Sequence, residues 1–367
     1  MIYRVIGVMS GSSLDGLDIA FAEFQENAGK WSYEIKNAVC YSYSVDWIEK
    51  LKKATSLSAK DYQLLDSAYG HYIGEQINKF IEENNLQYQV ALISSHGHTT
   101  FHFPSQKMTA QLGDGSAIAA ETQLPVVADL RSLDVAFGGQ GAPIVPVGEK
   151  LLLGDYNYFL NLGGIANISI NADQYLAFDV CPANRVLNML ANDEGKEYDD
   201  EGEMARTGNI NEELLQKLNA LDYYKQAFPK SLANEFGIET VYPLIRDTGC
   251  GIRDALRTYV EHIVIQIKEA INHATVQNRG MVTEDSRLLA TGGGAFNEFL
   301  IERLKEQLKN SNVEVVIPDE NLVKYKEAII MAFIGVLRWR QEYNVLASVT
   351  GATRDSIGEA LWIGQEA

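Results

Sequence analysis

Two carboxylates close behind a small, hydroxyl-rich turn make the first candidate site. An apolar run over 5–9 leads into Ser10, Gly11, Ser12, Ser13 and Leu14, and then into Asp15, Gly16, Leu17 and Asp18. Small residues let backbone N–H groups close on an anion, and hydroxyls add donors. A carboxylate beside a phosphate is repulsive unless a divalent cation stands between them. The stretch therefore reads as a hairpin for phosphate and metal. It is no P-loop, because it lacks the Gly-Lys-Ser/Thr ending. An ordinary Gly/Asp turn between two strands is the bland alternative.

Three of the six histidines, His96, His98 and His102, lie just past the apolar run 89–94. Their readings stay open: a metal pair at His98 and His102, contacts to a substrate that include Thr99, or structural histidines. Spacing by four suits a metal pair only on a helix. Thr99, Thr100 and Phe101 are poor helix formers and Pro104 follows, so a strand with His96 and His98 on one face fits better. Asp129, Arg131 and Asp134 follow the strand candidate 125–129 and precede the Gly-rich run 137–143. Residues just past a strand's C-terminal end are where α/β sheets place ligands.

The second half repeats the plan. Tyr158 to Ile170 reads as strand, Gly163-Gly164 turn and strand, with Asn167 in the second arm. A strand over 175–179 ends in Asp179 and is followed by Cys181, Pro182, Ala183 and Asn184, then a helix to about 191. A third strand runs into Gly292, Gly293 and Gly294, where bare backbone lets a flat ligand lie close and a helix start faces it.

Other elements must hold these residues in place. Helices are expected over 46–54, 59–83, 116–122, 211–219, 254–275, 298–309 and 326–340, and strands over 31–44 and 313–317. Ser58 with Asp61 opens the second helix with capping-box spacing. The acidic, aperiodic stretch 192–208 reads as a surface loop with solvated carboxylates, and 228–234 as a turn of unclear role.

At 367 residues the chain exceeds the size at which single cores stop growing, so two domains are expected. The first is drawn over 1–141 and the second over 142–367, with the tail 346–367 packing back toward a cleft. A net charge of −18 argues against nucleic acid or an anionic membrane as partner. No apolar run reaches the ~20 residues of a membrane span. Cys40, Cys181 and Cys250 form no disulfide framework and suit a reducing cytoplasm.

The wording of the motifs is specific. Met9 to Asp18, Asp129-Leu130-Arg131 with Gly138-Gly139-Gln140-Gly141-Ala142-Pro143, Asn161-Leu162-Gly163-Gly164-Ile165-Ala166-Asn167 and Gly292-Gly293-Gly294-Ala295-Phe296-Asn297 together resemble the 1,6-anhydro-N-acetylmuramic acid kinase family. That family lies within the actin/hexokinase superfamily, and the resemblance runs from Gly7 to Gly351.

The resemblance implies an α/β, two-lobed, ribonuclease H-like fold with an interdomain cleft that closes over its ligands. It implies ATP-dependent opening of the 1,6-anhydro bridge of anhydro-N-acetylmuramic acid, giving the 6-phosphate in peptidoglycan recycling. ATP and Mg²⁺ are the implied cofactors, an amino sugar the small-molecule substrate, and a cytoplasmic homodimer the assembly. Asp179 becomes the catalytic base. Gly11, Ser12, Ser13, Leu14, Asp15, Gly16, Leu17 and Asp18, with Gly163, Gly164 and Asn167, become phosphate contacts, and Gly292, Gly293 and Gly294 the adenosine turn. Asp15 and Asp18 become the metal ligands. His96, Thr99, Asp129, Arg131 and Asn184 face the sugar, with Arg131 on its lactyl carboxylate.

Three departures fall on the sugar side. The family's Thr-Gly-Pro-Gly-Asn is here Val180-Cys181-Pro182-Ala183-Asn184, and its Ser-His-Gly-Gln-Thr is Ser95-His96-Gly97-His98-Thr99. Its Pro-Pro-Lys-Ser-Thr-Gly-Arg is Phe228-Pro229-Lys230-Ser231-Leu232-Ala233-Asn234. The alternatives are a non-catalytic binder of nucleotide or muropeptide, and a kinase for another sugar.

Overall fold

A computed structural model describes residues 1–367 except 12, 173–174, 228–229, 234, 278–285 and 365–367. The chain divides into two compact units, Met1–Leu153 with Tyr325–Ala367, and Gly154–Lys324.

In the first unit the run Val5, Ile6 and Val8 is buried because it forms a central strand, β1 (Ile2–Ser10). It pairs antiparallel with β2 (Gly16–Asn27), from Ile2 opposite Gln25 to Ser10 opposite Leu17. β2 pairs in turn with β3 (Lys30–Ser42), whose alternating exposure marks a half-solvated edge. On its other side β1 runs parallel to β4 (Leu92–Phe103), which is parallel to β6 (Val126–Ala128) and carries β5 (Met108–Leu112) as a hairpin partner. The strand Ala360–Trp362 adds to β6 antiparallel.

The helix Ala59–Glu83 starts where the capping pattern places it, with Ser58 Oγ accepting from Asp61 N at 3.2 Å. Tyr69, Ile73, Ile77 and Phe80, one turn apart, join Ile6, Val8, Leu17 and Ile19 in the core. The Gly-rich run is anchored within this unit. Buried Asp134 accepts from Gly141 N at 2.7 Å and from Thr350 Oγ1 at 2.6 Å, and Gln140 N donates to Thr350 O at 2.8 Å.

The second unit repeats the plan. β7 (Tyr158–Leu162), β8 (Ile165–Ile170) and β9 (Leu176–Pro182) form an antiparallel meander. β10 (Ser286–Thr291) lies parallel to β7 and to β11 (Val313–Val316). The strand order β11-β10-β7-β8-β9 matches β6-β4-β1-β2-β3 of the first unit, the ribonuclease H-like arrangement of the actin/hexokinase fold. The helix Ile252–Gln277 buries Leu256, Tyr259, Ile263 and Ile267 in this core.

Two expectations change. Stretch 192–208 is not only a solvated loop: Asp199 is buried and accepts from Met204 N at 2.7 Å and Ala205 N at 2.9 Å, capping the short helix Glu203–Arg206. The last long helix is Glu320–Arg340, starting before the expected position. Among the described residues no helix is long and apolar enough to cross a membrane.

Candidate functional site

The first hairpin turns at 11–15. Ser13 Oγ donates to Asp15 Oδ1 at 2.6 Å and Gly16 N to the same oxygen at 3.1 Å, while Leu14 takes a left-handed φ of 58°. Ser12 lies outside the described residues, and Gly11 stands half-buried at the start of the turn. Gly16 and Leu17 open β2 and are buried. A Cβ on Gly16 would come within 2.5 Å of Cys40 Sγ and 2.7 Å of Tyr41 O, so β3 lies flush against the strand there.

Asp18 faces Met9 on β1 and Cys40 on β3. Burial pushes its carboxyl up to about 6, the Cys40 thiol donates to it and lowers it, and the Asp15 and Glu327 carboxylates raise it again. Burial, and then Asp18, push that thiol up to about 12, so it stays a donor. Glu327, in the helix Glu320–Arg340, also supports the charge on Arg131. Nothing in the local sequence pattern marked Glu327, because it reaches this cluster only through the fold.

The histidine stretch is strand, not helix. His96 is buried, donates from Nδ1 to Gly97 O at 2.9 Å and accepts from Arg131 Nε at 2.9 Å. Burial, with the Arg131 charge beside it, pushes its imidazole down to about 3, which fixes the neutral ring these two bonds require. Arg131 also donates to Gly141 O at 3.2 Å, and burial brings it down to about 10, still cationic at neutral pH. His98 meets Ser10 Oγ at 3.0 Å, in a buried chain that continues through the Tyr43 hydroxyl at 2.8 Å to Tyr69 at 2.6 Å. His102 turns instead to Thr109 Oγ1 at 3.1 Å. The three rings have three separate partners, and among the described residues no group of three or more His, Cys, Asp or Glu is arranged to hold a metal. Thr99 pairs across to Gln111 on β5. Asp129 follows β6 with φ 58° and is exposed.

In the second unit the Gly163-Gly164 turn is tied to the start of the helix Asn184–Asn192. Asn184 N donates to Gly163 O at 3.1 Å and Ala183 N to Gly164 O at 2.8 Å. The N–H of Gly164 lies trans to the Gly163 carbonyl and so points away from that helix. The Asn184 side chain donates to Leu162 O at 2.9 Å. Gly292, at φ 82°, has room for no side chain: a Cβ would lie 2.4 Å from Asn161 Oδ1. Gly293 and Gly294 follow in a single 3₁₀ turn, and Asn297 caps the helix Glu298–Lys309 through Leu300 N at 2.9 Å. A cavity of about 470 Å³ opens here, lined by Asn184, Tyr198, Asp200, Gly293, Gly294 and Phe296 among others. Asn184, expected on the sugar side, thus lies beside the glycine turns. The 198–201 stretch on the cavity wall was not legible as a ligand element, because an acidic aperiodic run looks like any solvated loop.

Asn167 stands on β8 between Asn161 of β7 and Asp179 of β9. The Asp179 carboxylate accepts through Oδ2 from Leu232 N at 2.8 Å and Ser231 Oγ at 3.2 Å. Its own N–H donates to Lys230 O at 3.1 Å, and Tyr223 OH donates to its carbonyl at 2.7 Å. Burial raises the carboxyl above its ordinary range, against the two Oδ2 bonds that lower it. The turn read as obscure in role is therefore the clasp on Asp179. Phe228, Pro229 and Asn234 of that motif lie outside the described residues. Cys181 and Ala183, which replace two family glycines, are fully buried and packed into the core.

The sequence model of the anhydro-N-acetylmuramic acid kinase family matches residues 3–363. A relative of that name from Aliivibrio fischeri is 33% identical over 370 residues, covering 96% of this chain and 96% of its own. Another from Sulfurimonas denitrificans is 30% identical over 371 residues, covering 97% and 98%. A third, from Francisella tularensis subsp. novicida, is 33% identical over 371 residues, covering 95% of each. Matched by the family model over nearly its whole length, and holding the wording of its glycine turns, the chain belongs to the anhydro-N-acetylmuramic acid kinase family.

Proposed function

We propose that this protein uses ATP to open the 1,6-anhydro bridge of anhydro-N-acetylmuramic acid and to phosphorylate O6, giving N-acetylmuramic acid 6-phosphate for peptidoglycan recycling. The observation that carries this reading is the full-length family match, supported by a strand-borne carboxylate of raised basicity at Asp179.

Asp179 takes a proton from water as that water bonds to the anomeric carbon. The C1–O6 bond breaks, O6 keeps its electron pair, and O6 bonds to the γ-phosphorus as ADP leaves. The clasp from Ser231 and Leu232 occupies Oδ2, which assigns the proton to Oδ1. Adenosine is assigned to the cavity beside Gly292, Gly293 and Gly294. The phosphates are assigned to Gly163, Gly164 and Asn167 and to the turn from Gly11 to Asp18. The sugar is assigned to His96, Thr99, Asp129 and Arg131, with the guanidinium of Arg131 toward the lactyl carboxylate. Asn184, beside the glycine turns, fits the nucleotide side as well as its expected sugar role. Burial of Cys181 and Ala183 in the core supports a site left open despite the lost glycines.

Asp15 and Asp18 would hold Mg²⁺. They fit it: their oxygens are hard donors, and on top of the burial that chiefly raises the Asp18 carboxyl, the neighbouring Asp15 and Glu327 carboxylates raise it further, a repulsion a cation would relieve. A bound Mg²⁺ would neutralise phosphate charge. Asp15→Asn is expected to weaken MgATP by ~10-fold or more and metal-free ATP little; equal losses would show that the acidic turn serves no metal.

The same reading carries a cytoplasmic homodimer. Dependence on ATP and three free cysteines suit the cytoplasm, and sedimentation velocity checks the assembly. The reaction itself is tested with purified protein, ATP and Mg²⁺, using anhydro-N-acetylmuramic acid against water alone and N-acetylmuramic acid. The expected result is ADP and sugar 6-phosphate in equal amounts with the anhydro sugar only. Equal turnover with N-acetylmuramic acid would mark an ordinary sugar kinase, and binding without turnover a non-catalytic relative.

A further inference from the structure

A triphosphate is a poor guest for a chain with 49 acidic and 31 basic residues. The nucleoside cavity makes this sharper, since Asp199, Asp200, Glu201 and Glu320 all line it. Among the described residues that line it the one cation, Lys324, is bonded to Glu320. Besides a bound cation, a fixed positive side chain in the second unit would suit the phosphates.

Arg185 meets that need. It stands in the first turn of the nine-residue helix Asn184–Asn192, and its N–H reaches Gly164 O at 3.4 Å. Its guanidinium lies along the glycine turn: Nε and Nη2 are each 3.7 Å from where a Cβ on Gly164 would stand. Nε is shielded from solvent yet has no hydrogen-bond partner. A buried guanidinium N–H left unpaired costs free energy that an anion would recover. The helix start beside it has no side-chain cap, but its first amides are taken by backbone, Ala183 and Arg185 N–H by Gly164 O and Asn184 N–H by Gly163 O, so the unpaired donor here belongs to the guanidinium.

We propose that Arg185, with the Gly163-Gly164 turn, binds the phosphate chain of the nucleotide and supplies the positive charge the cavity lacks. This assignment rests on the ATP reading above and deepens it. No local motif marks the residue, and its neighbour Asn184 takes up the carbonyls of Leu162 and Gly163, leaving Arg185 as the cationic side chain over the turn. An oxygen of the phosphate chain would accept from Nε and Nη2 together, the paired geometry in which arginine exceeds lysine.

The test is a ligand series read by calorimetry: adenosine, AMP, ADP and ATP, on wild type, Arg185→Met and Arg185→Lys. Wild type is expected to gain affinity as phosphates are added. Arg185→Met should lose ~10–100-fold for ATP, less for AMP, and under ~2-fold for adenosine. Arg185→Lys keeps a charge without the fork and should fall between. Equal losses for ATP and adenosine would mean that Arg185 only packs the turn, and this would overturn the assignment. Phosphate-dependent affinity that survives in Arg185→Met would overturn it alone and leave the ATP reading standing. A wild type that gains nothing from added phosphates would overturn both.

Discussion

Turnover of anhydro-N-acetylmuramic acid by Asp179→Asn is expected to fall ~10²–10⁴-fold, the usual worth of a general base. Asparagine keeps the shape and can still accept from Ser231 and Leu232, but it cannot take the proton of the attacking water. ATP affinity should stay within ~2-fold, because the residue is assigned to the sugar side. The pH profile gives a second reading. Burial raises the Asp179 carboxyl, and the base works only when ionised. The rate should therefore drop as pH falls through a midpoint above the ordinary carboxylate range, and hold above it. Ser231→Ala removes a bond that favours the charged form, so the acid limb should move to higher pH while the alkaline side keeps its height. Near-normal turnover in Asp179→Asn would place the base elsewhere. An acid limb that stays put in Ser231→Ala would separate that hydroxyl from the carboxylate's basicity.

The largest structural effect is expected from Gly7→Ala. A Cβ on Gly7 would lie 1.9 Å from Ala328 O and 2.7 Å from Ala332 N. Both are backbone atoms of the helix Glu320–Arg340, so no side chain can swing aside. Ile6 and Val8, the flanking residues of β1, are fully buried, which bars the strand from sliding away. Overpacking of a core usually costs ~1–3 kcal/mol, and a clash with helix backbone belongs at or beyond the upper end. At ~2–4 °C per kcal/mol for a unit of this size, thermal unfolding should come ~6–12 °C earlier. A shift under ~2 °C by circular dichroism would show that strand and helix part at no cost.

The glycine hairpins and the helix Ala59–Glu83 could be read because their signals are local: apolar arms around a small turn, a cap, and a period of 3.6. What joins those pieces could not. The His96–Arg131 bond, the approach of Glu327 to Asp18, and the Ser231 clasp on Asp179 each link residues far apart in sequence. No periodicity encodes such links. Composition misled at Asp199, because an acidic run looks solvated whether or not one carboxylate turns inward to cap a helix. The histidines show the opposite case. Poor helix formers between them and a nearby proline argued for a strand, and a strand gives each ring its own neighbour.

The three-residue strand Ala360–Trp362 has a consequence for the protein's behaviour in company. It covers β6, whose residues are all buried and apolar. Without that cover, β6 would offer open N–H and C=O groups on a flat apolar edge, a template on which another chain can add. The opposite edge, β3, is long but carries Lys30, Glu34 and Lys36 and alternates toward solvent, which discourages such addition. Trp362 also lies over Gly115, with ring atoms within 2.7 Å of where a side chain there would begin. The C-terminal strand thus serves as a guard against self-association, and its loss would be felt first as aggregation.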